Sequence, residues 1–439
     1  MELSILKGTR DYYPHEQIQR LQVIEILTRH FNLYGYQPLE TPTLNYFEVM
    51  ASKYAGGAEI LKETYQLTDQ GGRELALRYD LTVPFARFIG MNPQLPLPFK
   101  RYEIGKVFRN GPIKAGRLRE FTQCDVDICG AHSLVAEAEL LCMAFSVFKS
   151  LQLPVKAEIN NRKLLSGMIE LAAIPPAAVR EVVLTLDKLK KIGADGVMAE
   201  LLQKGITSDQ SKTLIESLAP QGSDFTSILN FYQPYSEKHP QIKEGLSELD
   251  ELIQLLNQAQ IQPASVQIIP TLARGLEIYT GAVFEIFAQE SAISSSLAAG
   301  GRYDQIIGAF LQSDPITAYP AVGICFGLDV IYMALEEKKS QLSSFVPAKV
   351  FIIPIHTHYQ SFSLLTQLRE AGIPTDIAMR DLKVKKSLAY ANKIGIPYVL
   401  IVGEDELNSG QYTLRDMANS QEFKLNFTEL IDHLKGLII

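Results

Sequence analysis

The chain reads as an α+β protein, an antiparallel sheet with flanking helices and a helical insertion, followed by a smaller α/β unit. Two extended runs, KRYEIGKVFR and REFTQCDVDICG, flank the turn-rich NGPIKAG, the pattern of an antiparallel hairpin with a long loop. Residues from about 175 to 262 are mostly amphipathic and rich in Leu, Lys and Glu, which predicts helices inserted into the first unit. Beyond a polar stretch, apolar strands alternate with helices, as in a small α/β domain whose sheet is mostly buried. The boundaries follow: 1–337 for the first unit, 338–348 for the linker and 349–439 for the last domain.

Each element has its own signal. Leu21, Ile24, Leu27 and Phe31 recur at helical spacing, and Gly35 stands where that helix would stop. SVQIIPTL, GAVFEIF and the strand-to-helix run AVGICFGLDVIYMALEEKK extend the first sheet, and AAGGRYD can form a tight backbone turn. In the last domain VFIIPI, PTDIAM, PYVLIVG, QYTLRDM and EFKLNF are the strands.

Composition narrows the function classes only coarsely. With 439 residues, several cores can be buried. A net charge of −7 argues against blanket attraction to nucleic acid, although a local basic surface would still suffice for RNA. The four cysteines lack paired CxxC spacing, so neither a zinc site nor a secreted disulfide framework is expected, and no metal site is assigned. No apolar run approaches the ~18 residues of a membrane span, and a reduced, cytoplasmic protein is the simplest expectation.

Several segments could carry chemistry. Seven cations and one acid, Glu103, fall between Lys100 and Arg119; strand alternation places Arg101, Glu103, Val107 and Arg109 on one face, with Arg109 at the strand end. A guanidinium there could clamp phosphate, whereas a solvated basic hairpin explains the charge alone. In LARGLEIYTG, Arg274 stands in an apolar setting and needs an anionic partner, either a ligand or Glu277 or Glu285. Asp80 and Thr82, two apart in RYDLTVPFARF, would share a strand face and could hold an ammonium group, or Asp80 could pair with Arg78 or Arg87. Gln123, Asp125 and Asp127 alternate in the same way on the return strand, as a polar sheet face also would.

Taken in order, KGTRDYYP, YGYQPLETP, LRYDLTVPFAR, the hairpin through REFTQCDVDICG, LARGLEIYTG, AAGGRYD and KSLAYANKIGIPYVLIVGEDEL resemble the class II histidyl-tRNA synthetases over nearly the whole chain. The resemblance implies a class II catalytic domain and a C-terminal anticodon-binding domain. It implies histidine, ATP as substrate with Mg2+, and tRNA for histidine as partners, and a homodimer through the first of the class motifs, whose proline is Pro42. Asp80, Thr82 and Gln123 match positions around the α-amino group of histidine, and Asp127 and Tyr279 those that bond its imidazole. Ile278 adjoins them, Arg109 matches the arginine on the α-phosphate of ATP, and Phe121 the ring that stacks on adenine. Arg274 matches the arginine near the substrate carboxylate and α-phosphate, which makes Arg274 and Arg109 the expected catalytic pair.

The chain departs from this pattern at two places. Val330 follows Asp329 where the third class motif carries an arginine for the γ-phosphate, and Arg302 and Arg117 are the candidate replacements. Glu277 and Ile278 replace the usual Asp and Tyr. A paralogue that binds histidine or tRNA as a regulator is therefore the alternative, although the regulatory subunits of that type lack the C-terminal domain present here.

Overall fold

The structure is a computed structural model of the 439-residue chain and describes residues 3–52, 61–113, 116–218, 220, 222, 224–273, 278–311, 319–338, 346, 348–380 and 382–438. Arg274 and Glu277 lie outside the described residues. Two compact units form, Met1–Leu342 and Ser343–Ile439.

Helix α1 (Pro14–Leu33) opens on a proline, whose fixed φ suits the first turn, and Glu16 accepts the Tyr13 amide at 2.7 Å. It ends before Gly35, which takes φ 78°. Val23, Leu27 and Phe31 are buried, but Leu21, expected on the same stripe, is 52% exposed. The buried face is rotated because Arg20 belongs to it, reaching Asp329 Oδ1 at 2.6 Å.

After β1 (Gln37–Pro38), the strands β2 (Leu44–Tyr46), β3 (Gln66–Thr68) and β4 (Glu74–Leu77) make a small antiparallel sheet in the order β2-β4-β3, beside α2 (Phe47–Ser52). Helix α3 (Thr82–Met91) follows, so Asp80 lies in the bend before a helix and Thr82 is its first residue. The expected shared strand face is not formed; instead Asp80 Oδ1 accepts the Val83 amide at 3.0 Å, which anchors the first helical turn.

The hairpin forms as read, from β5 (Phe99–Phe108) and β6 (Glu120–Cys129), paired antiparallel along their whole length. Helix α4 (Val135–Ser150), β7 (Val155–Asn161) and α5 (Arg162–Leu171) come next. The region 175–262 holds helices α6 (Val179–Leu186), α7 (Leu189–Gln203), α8 (Ser208–Ser217), α9 (Phe225–Ser236) and α10 (Pro240–Gln258). Their Val182, Leu214, Tyr232 and Leu249 join the same buried cluster as Phe284 and Phe326 of the sheet. Gly245 permits that docking, because a Cβ there would stand 2.6 Å from the Leu164 amide nitrogen.

The chain returns through β8 (Val266–Ile268), β9 (Ala282–Ala288), β10 (Ala298–Arg302), α11 (Ile306–Leu311), β11 (Ala321–Gly327) and α12 (Leu328–Glu337). The large sheet runs β1-β5-β6-β11-β10-β9-β7-β8, antiparallel inside with a parallel pair at each edge. The glycines of AAGGRYD are in strand β10, not in a tight turn. Only glycine fits there, since a Cβ on Gly300 would meet the Gly323 carbonyl oxygen of β11 at 2.0 Å.

The second unit orders its sheet β13-β12-β14-β15-β16, from β12 (Val350–Pro354), β13 (Thr375–Ile377), β14 (Tyr398–Val402), β15 (Tyr412–Asp416) and β16 (Glu422–Leu425). The first three strands are parallel and nearly continuous in apolar residues, and α13 (His358–Glu370), α14 (Val384–Lys393), α15 (Glu404–Ser409) and α16 (Phe427–Ile438) accompany them.

One buried ion pair pins α4 to β10. Arg302 gives Nε and Nη2 to the two oxygens of Glu137 at 2.6 and 2.8 Å, and Glu137 is fully buried. Glu137→Ala removes the partner of Nε and Nη2 and leaves the guanidinium to Asp304 and the Ala131 carbonyl at Nη1, so we predict a loss of about 3 kcal/mol, read as a lower urea midpoint for the first unit; an unmoved midpoint would show the pair to be idle.

Candidate active site

A cavity of about 640 Å³ opens beside the hairpin, lined by Asp80, Thr82, Arg109, Phe121, Gln123, Asp127, Ile278 and Tyr279. These are all the described residues expected in the site. Its wall also includes Arg117, Asp125, Tyr303, Cys325 and Val330.

Strand alternation builds one wall. Gln123, Asp125 and Asp127 project from the same face of β6 and are 9%, 4% and 3% exposed. Opposite them on β5 lies Arg101, fully buried, with Nη2 2.7 Å from Asp127 Oδ2, Nη1 3.6 Å from Glu103 and the guanidinium 4.4 Å from the Phe85 ring centre. Glu103 also binds Arg78 at 2.9 Å and accepts from Thr41. Asp127 Oδ1 takes the Tyr303 hydroxyl. The basic hairpin is thus partly a buried ion-pair network, and the pairing of Asp80 with Arg78 does not form because Glu103 holds Arg78.

Burial pushes the Asp125 carboxyl up to about 7; Arg101 pulls it down, and Asp127 and Asp80 push it further up. The Tyr279 and Tyr303 hydroxyls are also raised, first by burial and then by neighbouring acids, so both remain neutral donors.

Arg109 stands at the other end. Its guanidinium lies 4.2 Å from the Tyr79 ring centre and 5.0 Å from that of Phe121, with Nε donating to the Tyr79 carbonyl at 3.3 Å. Two rings and a carbonyl hold it in place. Arg117, half exposed, binds both oxygens of Glu63 at 3.0 Å. Arg302 is not on the cavity wall, because Glu137, Asp304 and the Ala131 carbonyl engage it. Asp329 is buried and structural, accepting from Tyr12, Arg20 and the Thr122 amide, whereas Val330 faces the cavity.

Three contributors were not assigned from sequence. Asp125 was visible as a member of the alternation on β6. Tyr303 stood within AAGGRYD without a role, and Cys325 gave no signal because only the pairing of β11 with β6 sets it opposite Asp125.

The large sheet thus carries one cavity walled by Arg109, Phe121 and several acids, and a separate α/β unit follows it in the chain. The family model for histidyl-tRNA synthetase matches residues 8–331, and that for an anticodon binding domain matches 349–437. Histidine–tRNA ligase 1 of Bacillus cereus is 48% identical over 435 residues, 99% of this chain and 100% of that protein. The histidine–tRNA ligase of Helicobacter pylori is 35% identical, covering 98% and 97%. The crystal structure of histidyl-tRNA synthetase from Nostoc superposes with a TM-score of 0.84 at 27% identity over the full length of both chains. The chain belongs to the histidyl-tRNA synthetase family.

Arg101→Met leaves buried carboxylates without their cation. We predict a stability loss of about 3–5 kcal/mol at mildly alkaline pH that shrinks on acidification. The sign follows from Asp125, whose folded-state value is already raised. The folded variant holds its proton more tightly than the unfolded chain, so lower pH favours folding. Urea midpoints measured across pH would refute this if the deficit grew on acidification.

Proposed function

We propose that the chain ligates histidine to its tRNA, and the observation that carries the reading is that one cavity gathers every described residue of the expected site. Histidine carboxylate attacks the α-phosphorus of ATP, the bond to pyrophosphate breaks, and the resulting histidyl-adenylate acylates the 3′ terminal adenosine of tRNA. Negative charge spreads over the transferring phosphate, and fixed guanidiniums stabilise it without reorganising. Arg109 has the required fixation, and Arg274 is assigned the opposite side. Phe121 offers its ring to adenine. Asp127 and Tyr279 bond the two imidazole nitrogens, Ile278 supplies an apolar wall, and Asp80, Thr82 and Gln123 receive the α-ammonium.

Among the described residues no cluster of three His, Cys, Asp or Glu side chains could hold a metal. Magnesium enters this reading as part of the ATP substrate, bound by its phosphates. No described helix is long and apolar enough to cross a membrane. A cytoplasmic location is part of this reading because a tRNA ligase works where tRNA is used. A homodimer follows from family membership, with Leu44, Tyr46 and Leu67 exposed on the small sheet as candidate contacts. The regulator alternative is not favoured, since the chain is aligned end to end with a ligase and carries the anticodon-binding domain.

ATP–pyrophosphate exchange tests the reading: histidine should support it and other amino acids should not, and silence with histidine would refute it. Arg274→Ala and Arg109→Ala should each slow exchange by roughly 10² or more, an unchanged rate removing the residue from the mechanism. On α14, Lys385 and Lys386 are exposed, with Lys383 just before the helix. Changing all three to Glu should raise the tRNA KM by about tenfold or more, leaving exchange intact; equal loss in both assays would mean a folding defect.

A further inference from the structure

Two acceptors on the buried wall of the cavity, Gln123 Oε1 and Asp125 Oδ1, meet no hydrogen-bond donor among the described residues. Gln123 directs its amide nitrogen to Cys325 Sγ at 3.1 Å, which leaves its carbonyl oxygen unused. Asp125 is bonded by the Cys325 thiol, its cross-strand neighbour on β11, through its other oxygen. Buried acceptors left without donors are costly. Two of them on one strand face of a cavity suit donors that arrive with a ligand.

Charge points the same way. Around this wall stand two guanidiniums, Arg78 and Arg101, and four carboxylates, Asp80, Glu103, Asp125 and Asp127. Arg101 is ion-paired with Asp127 at 2.7 Å and with Glu103 at 3.6 Å, and Arg78 with Glu103 at 2.9 Å. The remaining groups that act on Asp125 are the Tyr279 hydroxyl and the Cys124 and Cys325 thiols, all of them neutral. A compact cation with several N–H donors restores the balance, and an ammonium has three.

We propose that Asp125 is a further histidine-positioning residue, its Oδ1 accepting an N–H of the α-ammonium next to Gln123 Oε1. The inference rests on reading the cavity as the histidine site. Asp127, already bonded by Arg101 and Tyr303, serves the ring end. Asp125, between Gln123 and Asp127 and in the field of Asp80, belongs to the ammonium end. A consequence follows for protons. Burial keeps the Asp125 carboxyl protonated well above the usual carboxylate range in the empty site. An arriving ammonium favours the carboxylate, so histidine binding expels a proton and affinity rises as pH rises through neutrality.

The test compares the full-length wild type with Asp125→Asn, which keeps the shape and the thiol contact. Exchange kinetics give histidine and ATP KM and kcat, and calorimetry of histidine binding in two buffers of different ionisation heat counts protons. The expected result is a histidine KM raised about tenfold or more, with kcat and ATP KM nearly unchanged. Wild type should release a fraction of a proton near neutrality that the variant does not, the variant supplying the baseline for the titration of histidine's own imidazole. An unchanged histidine KM, a loss confined to kcat, or equal proton release in both proteins overturns the proposal. If the variant melts early, the wild-type proton count decides alone, and zero release overturns it. Wild type that fails to exchange with histidine refutes the functional reading itself and not merely this residue.

Discussion

Arg101 is the constraint on which the site depends. A fully buried guanidinium is tolerated only with anionic partners, and Glu103 and Asp127 provide them from β5 and β6. Each partner is itself engaged, Glu103 by Arg78 and Thr41, Asp127 by Tyr303. The segment before α2, the bend before α3, the hairpin and the end of β10 are therefore joined through one network. Such a network adds little net stability compared with an apolar core. Its effect is on geometry, since any displaced member leaves a buried charge unmet.

Glycines complete that geometry. Gly323 faces Asp127 across the β6–β11 pairing, and a Cβ at Gly323 would stand 2.0 Å from Asp127 Oδ1. The space a side chain would fill is occupied by a carboxylate that lines the cavity. Gly300 performs the parallel service between β10 and β11. The signature segments are thus conspicuous in sequence for a packing reason: strands must approach closely enough for acids on one to lie over the backbone of the next.

Much of this was legible without coordinates, and the failures share a cause. The hairpin, the helical insertion and the α/β unit follow from periodicity and turn residues, which are local. Alternation correctly grouped Gln123, Asp125 and Asp127 but could not say that their face is buried as well as that of Cys124, Val126 and Ile128. Leu21 was misread because the core stripe of α1 is set by Arg20 and its distant partner Asp329. Arg302 was eligible as a phosphate ligand until Glu137 was seen to hold it. Asp80 and Thr82 line the same cavity, but from a bend and a helix start and not from the expected strand face. In each case the deciding contact joins residues far apart in sequence, which no window along the chain contains.

In the proposed function, the position of Val330 alters how the triphosphate end is built. It lines the cavity from the first turn of α12, while its neighbour Asp329 turns inward to Arg20, Tyr12 and the Thr122 amide. The acid of the third class motif thus keeps a structural task, fastening α12 to α1 and β6, whereas the adjacent side chain brings no charge. With Arg302 engaged elsewhere, Arg109 and Arg117 are the described arginines on the cavity wall. They differ in kind. Arg109 is held by two rings and a carbonyl and is already oriented, so little is lost when it meets a phosphate. Arg117 is half exposed and tied to Glu63, an acid that would have to release or share it before it could serve a phosphate. In the proposed function, this arrangement favours stabilising charge at the α-phosphate, where the bond changes, over gripping the leaving pyrophosphate. In the proposed function, that division suits a specificity set in the acid-lined pocket at the opposite end of the same cavity.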